Sequence, residues 1–244
     1  MKVIVTGATG TAGRGIVQAC LADERITKLT ILTRRAVASE VESDPKVEVV
    51  MHDDFSQYPD ELMQRLEGAE ACLWAIGGRV DQFGGDKDLA RKVGVDYTLA
   101  GARAMRDKLA PKVSRFRFVF CSGMLAEWDQ DKSLLFLNDT RKIKGAVEKG
   151  LCALADEQEQ GDEGKKKGGE EEEEQAAEGG GTGKFEVWIA RPSTLVPPEA
   201  PAHKKFVGAL SKGISTVQLG RAMIKMAMEG SGERIVETDT LSRM

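Results

Sequence analysis

Three glycines near the start of the chain have the spacing of a turn that grips phosphate. Gly7, Gly10 and Gly13 stand in Gly7-Ala8-Thr9-Gly10-Thr11-Ala12-Gly13. The apolar run Lys2-Val3-Ile4-Val5-Thr6 precedes them and a helical pattern follows. Strand, glycine turn and helix in that order aim free backbone N–H groups and the positive end of a helix dipole at a bound pyrophosphate. The spacing is GxxGxxG rather than GxGxxG. Gly7 permits the tight turn, Gly10 lets the backbone approach the phosphates, and Gly13 lets helix and strand pack closely. A glycine-rich turn without a ligand would explain the triplet alone; its place between strand and helix favours a dinucleotide-binding corner.

The residues that choose between dinucleotides lie one strand later. A binder of NAD carries a carboxylate about twenty residues past the glycines, where it accepts a hydrogen bond from the ribose 2′-OH. Here the second strand ends Leu29-Thr30-Ile31-Leu32-Thr33, and Arg34 and Arg35 follow with no Asp or Glu between. A guanidinium, with paired donors and permanent charge, suits a 2′-phosphate. Arg14 adds positive charge near the same end. The expected cofactor is NADP(H); the plain alternative is two solvent-facing arginines after a strand.

The elements that must position these groups follow from the alternation of apolar runs and helical patterns. Strands are predicted at about 2–6, 28–33, 46–51, 70–76, 115–121, 185–190 and 234–237, and helices at about 12–22, 58–67, 87–109, 138–155 and 216–229. That alternation predicts an α/β fold: a doubly wound parallel sheet of Rossmann type in three α/β/α layers, as a single domain. The predicted strand order is 3-2-1-4-5-6, with a seventh strand at the edge.

Composition limits the function. The chain has 244 residues, 41% hydrophobic, with a net charge of −4. Such a chain can build one sizeable core, and its field gives no reason to expect nucleic acid or a membrane surface as partner. No apolar run approaches the ~20 residues of a membrane span, and the first strand begins at Lys2, where a signal peptide would otherwise lie. Cys20, Cys72, Cys121 and Cys152 are widely spaced in apolar surroundings without a CxxC pair. They read as buried reduced thiols of a cytoplasmic protein rather than disulfides or metal ligands.

Residues 156–183 break the pattern. The stretch DEQEQGDEGKKKGGEEEEEQAAEGGGTG has two alanines as its only apolar members. It cannot bury enough surface to offset its ordering entropy, so it is predicted to be a disordered low-complexity insertion between 1–155 and 184–244. It reads as a solvated spacer, with binding of a partner to its charge blocks as the alternative.

Taken with the glycine corner, several further segments resemble the atypical short-chain dehydrogenase/reductases, in the branch of the Tat-interacting-protein-like and NmrA-like proteins. They are TGATGTAG at 6–13, LTRR at 32–35, HDDF at 52–55, WAIGG at 74–78, VDYT at 95–98, FVFCSG at 118–123, KGAVE at 144–148 and ARPSTLVPP at 190–198. The resemblance covers nearly the whole chain outside 156–183. It implies adenine contacts from Asp54 and Phe55, close passage of cofactor at Ala75, Ile76, Gly77 and Gly78, and the nicotinamide end near Pro192. Ser122 then orients the substrate carbonyl or hydroxyl. Without the resemblance, Ser122-Gly123 is simply a strand-ending turn.

The family's Tyr-x-x-x-Lys motif is altered. Lys144 matches the lysine that holds the nicotinamide ribose, but Thr140 stands four residues earlier, on the same helical face. A Thr hydroxyl is a far poorer acid than a phenol, and proton transfer is efficient only when the donor pKa lies near the working pH. Tyr58 and Tyr97 lie in other segments, and Asp139 is turned about 100° from Thr140. Asp139, with Asn138 or Thr140, reads equally as a helix cap. His203, Lys204, Lys205 and Phe206 lie in a segment expected to cover the site, and the short C-terminal portion disfavours a nucleotide-sugar epimerase.

Two functions therefore stand side by side. One is an NADP(H)-dependent oxidoreductase acting on a small carbonyl or alcohol, with Thr140 in place of the tyrosine. The other is an inactive NADP(H)-binding redox sensor of the NmrA-like kind. A protein scaffold without nucleotide affinity is the third and weakest. Substrate identity is not legible, and a homodimer or a protein partner is left open; in the resembled family a four-helix interface forms dimers, next to where the insertion falls.

Overall fold

A computed structural model describes residues 1–166, 183–201 and 213–244. Its centre is a seven-stranded sheet, all of whose pairings are parallel: β1 (Lys2–Thr6), β2 (Lys28–Thr33), β3 (Val47–Met51), β4 (Ala71–Trp74), β5 (Arg115–Cys121), β6 (Lys184–Arg191) and β9 (Ile235–Glu237). The spatial order is β3-β2-β1-β4-β5-β6-β9, as predicted. The order reverses between β1 and β4, which opens a crevice at their carboxyl ends.

Strands β1, β2 and β4 are buried almost throughout because both sheet faces are covered there, whereas β3, β5 and β6 carry Glu48, Arg117 and Glu186 within their runs,. Alternation along each strand sorts the side chains into two cores. Ile4, Trp74, Phe118 and Phe185 face one side with α3 (Asp60–Arg65), α5 (Tyr97–Lys108) and α6 (Asn138–Lys166). Val3, Val5, Leu73 and Val119 face the other with α1 (Thr11–Ala22) and α7 (Thr216–Glu229). Among the described residues, six short elements escaped the sequence reading: α2 (Ser39–Glu42), α8 (Thr238–Leu241), 3-10 turns at Val80–Phe83 and Ala110–Lys112, and the paired two-residue strands β7 (Leu195–Val196) and β8 (Ile214–Ser215). The predicted helix at 87–109 is α4 (Lys87–Arg91), a π-helical turn over Lys92–Asp96, and α5.

Helices α1 and α7 touch at backbone distance. A Cβ on Gly220 would lie 2.7 Å from Ala19 Cβ and 2.9 Å from Gly15 O, and one on Gly15 would lie 2.4 Å from Thr216. Overpacking of this kind costs about 1–3 kcal/mol or more. Gly220→Val should therefore lower the melting temperature by about 4–10 °C. Gly232→Ala, which meets open space, should leave the melt unchanged. Equal melts for the two variants would show that the helices can separate freely.

Helix α6 departs from its predicted end. It runs to Lys166 rather than stopping near Ala155. Extending an established helix is far easier than starting one, and the first residues past the core find partners. Asp156 pairs with Arg234, Glu157 with Arg106, and Gln158 Nε2 donates to the Gly183 carbonyl. The backbone of 156–166 is thus helical, not part of a disordered insertion. Residues 167–182 lie outside the described residues.

Candidate functional site

Helix α1 opens on Gly10 with no side-chain cap. The first amides of a helix have no intrahelical acceptor, so those following Gly10 face the crevice as donors. Gly7 is left-handed (φ 68°), and a Cβ there would strike Ala75 O at 2.5 Å. Gly13 is buried beneath the turn, where a Cβ would sit 2.0 Å from Gly7 O. Ala8 is buried as well. Any side chain at Gly7 or Gly13 would close the cradle.

Two adjoining cavities meet at this turn. The first, about 260 Å³, is bounded by Gly7, Thr9 and Gly10, by Thr33, Arg34 and Arg35 after β2, by Phe55, and by Ala75, Ile76 and Gly77 after β4. The second, about 590 Å³, shares Gly10, Ala75 and Gly77 and runs past Thr11 and Ala12 to Ser122, Thr140, Lys144 and Pro192. Among the described residues no carboxylate lines either cavity, whereas Arg34 and Arg35 stand at one end and Arg79, Arg141 and Lys144 at the other. A cleft with this wall suits an elongated polyanion.

The Arg34 side is braced. Arg35 Nη2 donates to Thr9 Oγ1 at 2.7 Å, joining β2 to the glycine turn, and Thr33 Oγ1 donates to the Arg35 carbonyl at 2.9 Å. Arg14 and Asp54 are exposed and line neither cavity. Asp54 Oδ1 accepts from Ser56 N at 3.0 Å and from its hydroxyl, which hold the carboxyl below its ordinary pKa. Phe55 is buried against Trp74, with ring centroids 6.0 Å apart.

At the other end the predicted residues converge, with their polar atoms already engaged. Ser122 Oγ donates to Glu148 Oε1. Thr140 Oγ1 accepts from Val80 N at 3.0 Å, which leaves its own proton available. Lys144 Nζ donates to the Cys121 carbonyl at 3.3 Å and sits 5.1 Å over the Phe120 ring. Burial lowers its pKa, against the raising influence of Cys121 and Glu148. Neither Asn138 nor Asp139 caps α6. Asn138 Oδ1 accepts from Leu134 N at 3.3 Å, and Asp139 pairs with Lys87 at 2.9 Å.

Sequence reasoning missed the group that organises this end. Glu148 is fully buried and accepts from Ser122, from Trp128 Nε1 at 2.8 Å, and from Arg191 Nε at 2.9 Å and Nη2 at 2.5 Å. This bonding holds the Arg191 guanidinium above its ordinary pKa. Both residues lie inside the quoted motifs KGAVE and ARPSTLVPP, so the signal was an acid and a base within apolar segments. His203 to Phe206 lie outside the described residues; Tyr97 lines the first cavity and Tyr58 neither, and neither tyrosine lines the cavity that holds Thr140 and Lys144. Among the described residues no grouping of His, Cys, Asp and Glu could hold a metal ion, and no helix is long and apolar enough to cross a membrane.

The family model for NAD(P)H-binding proteins matches residues 7–157, from the glycine turn into α6. The chain belongs to the NAD(P)H-binding family. Of the curated proteins, leucinostatins biosynthesis cluster protein T of Purpureocillium lilacinum is 40% identical over 77 residues, spanning 32% of this chain and 28% of that protein. Solved structures share the fold of this NAD(P)H-binding chain at low identity. Yeast methylglyoxal/isovaleraldehyde reductase, complexed with NADPH, aligns with TM-score 0.70 and 15% identity over 97% of this chain and 77% of its own. An oxidoreductase of the short-chain dehydrogenase/reductase family from Burkholderia thailandensis aligns with TM-score 0.62 and 14% identity over 97% and 90%. The family and fold agree with the likeness to the atypical short-chain dehydrogenase/reductases drawn from the motifs.

Proposed function

We propose that this protein is an NADP(H)-dependent oxidoreductase acting on a carbonyl or alcohol. The observation that carries the reading is the cleft that no carboxylate lines among the described residues, running from Arg34 and Arg35, past the α1 amides, to Lys144. The arginines suit the 2′-phosphate and the uncapped helix end suits the pyrophosphate. A bound nicotinamide would supply hydride exchange at the substrate carbon, and residues of this chain would handle the proton at the substrate oxygen. Of Ser122, Thr140 and Lys144, the lysine keeps the most donors uncommitted. Its lowered pKa makes it a readier proton source than an ordinary lysine,. The Thr140 O–H, whose oxygen is already held by Val80 N–H, relays that proton or orients the oxygen.

A second reading has its own support. Ser122 is bound to a buried carboxylate and the tyrosine is replaced, so a protein that binds NADP(H) without turnover fits the same site. Calorimetric titration with NADPH, NADP, NADH and NAD tests the common part: the phosphorylated pair should bind at least ~10-fold tighter. Thr140→Tyr then separates the two readings. Carbonyl reduction should rise about 10-fold or more if the remaining machinery is catalytic; no gain with any carbonyl would favour the sensor.

A further inference from the structure

Among the described residues, all the exposed large apolar side chains except Met51 and Leu89 lie in one loop, between β5 and α6. They are Met124, Leu125, Trp128, Leu135, Phe136 and Leu137, with Leu135 fully exposed. Exposed large apolar side chains gathered on one loop mark a binding site more often than chance. The loop is also strained and pinned. Leu125 (φ 65°) and Leu137 (φ 50°) are the described non-glycine residues with left-handed backbone, a conformation that persists in bulky residues only where the surroundings impose it. Here α6 imposes it. Arg141 Nε donates to the Leu125 carbonyl at 2.7 Å, Arg141 N donates to the Leu137 carbonyl at 2.9 Å, and the Arg141 guanidinium lies 5.2 Å from the Phe136 ring centre. Trp128 is fastened to Glu148, and a Cβ on Gly145 would fall 1.8 Å from Glu127 O.

The apolar loop is continuous with the reacting end of the cleft. Met124 and Leu137 belong both to its exposed surface and to the wall that holds Thr140 and Lys144, beside Ala126 and Leu195. The cleft therefore opens directly onto the loop, and a molecule held at Lys144 has an apolar path out of it. Resting on the oxidoreductase reading, we infer that the substrate carries its carbonyl on a long uncharged alkyl or acyl chain, which leaves the cleft over Met124 and Leu137 and lies against Leu135 and Phe136.

The test is binding of straight-chain methyl ketones, from butanone to methyl heptyl ketone, to the protein with and without saturating NADP; a ketone and the oxidised cofactor cannot react. Each added methylene should tighten binding about threefold once the chain reaches the loop. The double variant Leu135→Ser, Phe136→Ser, altered only at exposed positions, should bind butanone and NADP as before and lose most of the chain-length dependence. A flat series in the NADP-bound native protein would overturn the inference and leave the oxidoreductase reading intact. A steep series in a protein that binds no nucleotide would do the reverse. If sedimentation shows that the double variant only turns a dimer into monomers, with the chain-length dependence unchanged, the loop is an interface between copies and the inference fails.

Discussion

Glu148→Ala should lower the unfolding free energy by about 3–5 kcal/mol, the usual cost of removing one partner of a buried ion pair. Glu148 has no exposed surface, and the side chain of Arg191 is 16% exposed. Without the carboxylate, Arg191 keeps among the described residues only Glu237, a half-exposed partner at 3.0 Å. Ser122 Oγ and Trp128 Nε1 would lose their acceptor in the same step. Urea unfolding of the native and variant proteins measures the difference. The paired replacement Glu148→Leu, Arg191→Met should recover most of the loss, because apolar residues of similar volume often substitute for a buried pair without penalty. A single variant within about 1 kcal/mol of native would mean that solvent reaches the pair and that it does not anchor the cleft.

Replacing Arg34 and Arg35 together with serine should weaken NADPH binding about 100-fold and change NADH binding by no more than about threefold. Hydrogen bonds to charged groups are worth about 1.5–3 kcal/mol each, and only NADPH offers a 2′-phosphate to receive them. Calorimetric titration of both nucleotides reads the ratio. Equal weakening of the two would assign the arginines a different task, bracing the glycine turn through the Arg35–Thr9 contact.

The sheet was legible because its central strands β1, β2 and β4 are buried almost throughout, while β3, β5 and β6 still carry strand-forming apolar residues around Glu48, Arg117 and Glu186,. The turn at Gly7–Gly13 was legible because sterics at Gly7 and Gly13 admit only glycine. The Glu148–Arg191 pair was not, since its members are 43 residues apart and an acid on a helix ordinarily reads as a solvated face,. The apolar loop over 124–137 was hidden for a related reason: exposure depends on what the rest of the chain leaves uncovered. The end of α6 was misplaced because composition alone said that Asp156, Glu157 and Gln158 had nothing to bury. Their ion pairs and hydrogen bond come from elements distant in sequence. Strands β7 and β8, two residues each, are too short to carry a periodic signal.

The path of α6 gives the molecule two working ends. Thr140 and Lys144 lie near its start, beside the carboxyl ends of the strands, and Lys166 lies about 33 Å further along the axis from Lys144 at 1.5 Å per residue,. The chain re-enters the described structure at Gly183, directly before the amino end of β6. Whatever is joined between 166 and 183 is therefore attached at the edge of the sheet opposite the cleft. A fluorescent label, a capture tag or a whole inserted domain placed there would hold the protein by its back, with the mouth of the cleft left facing solution.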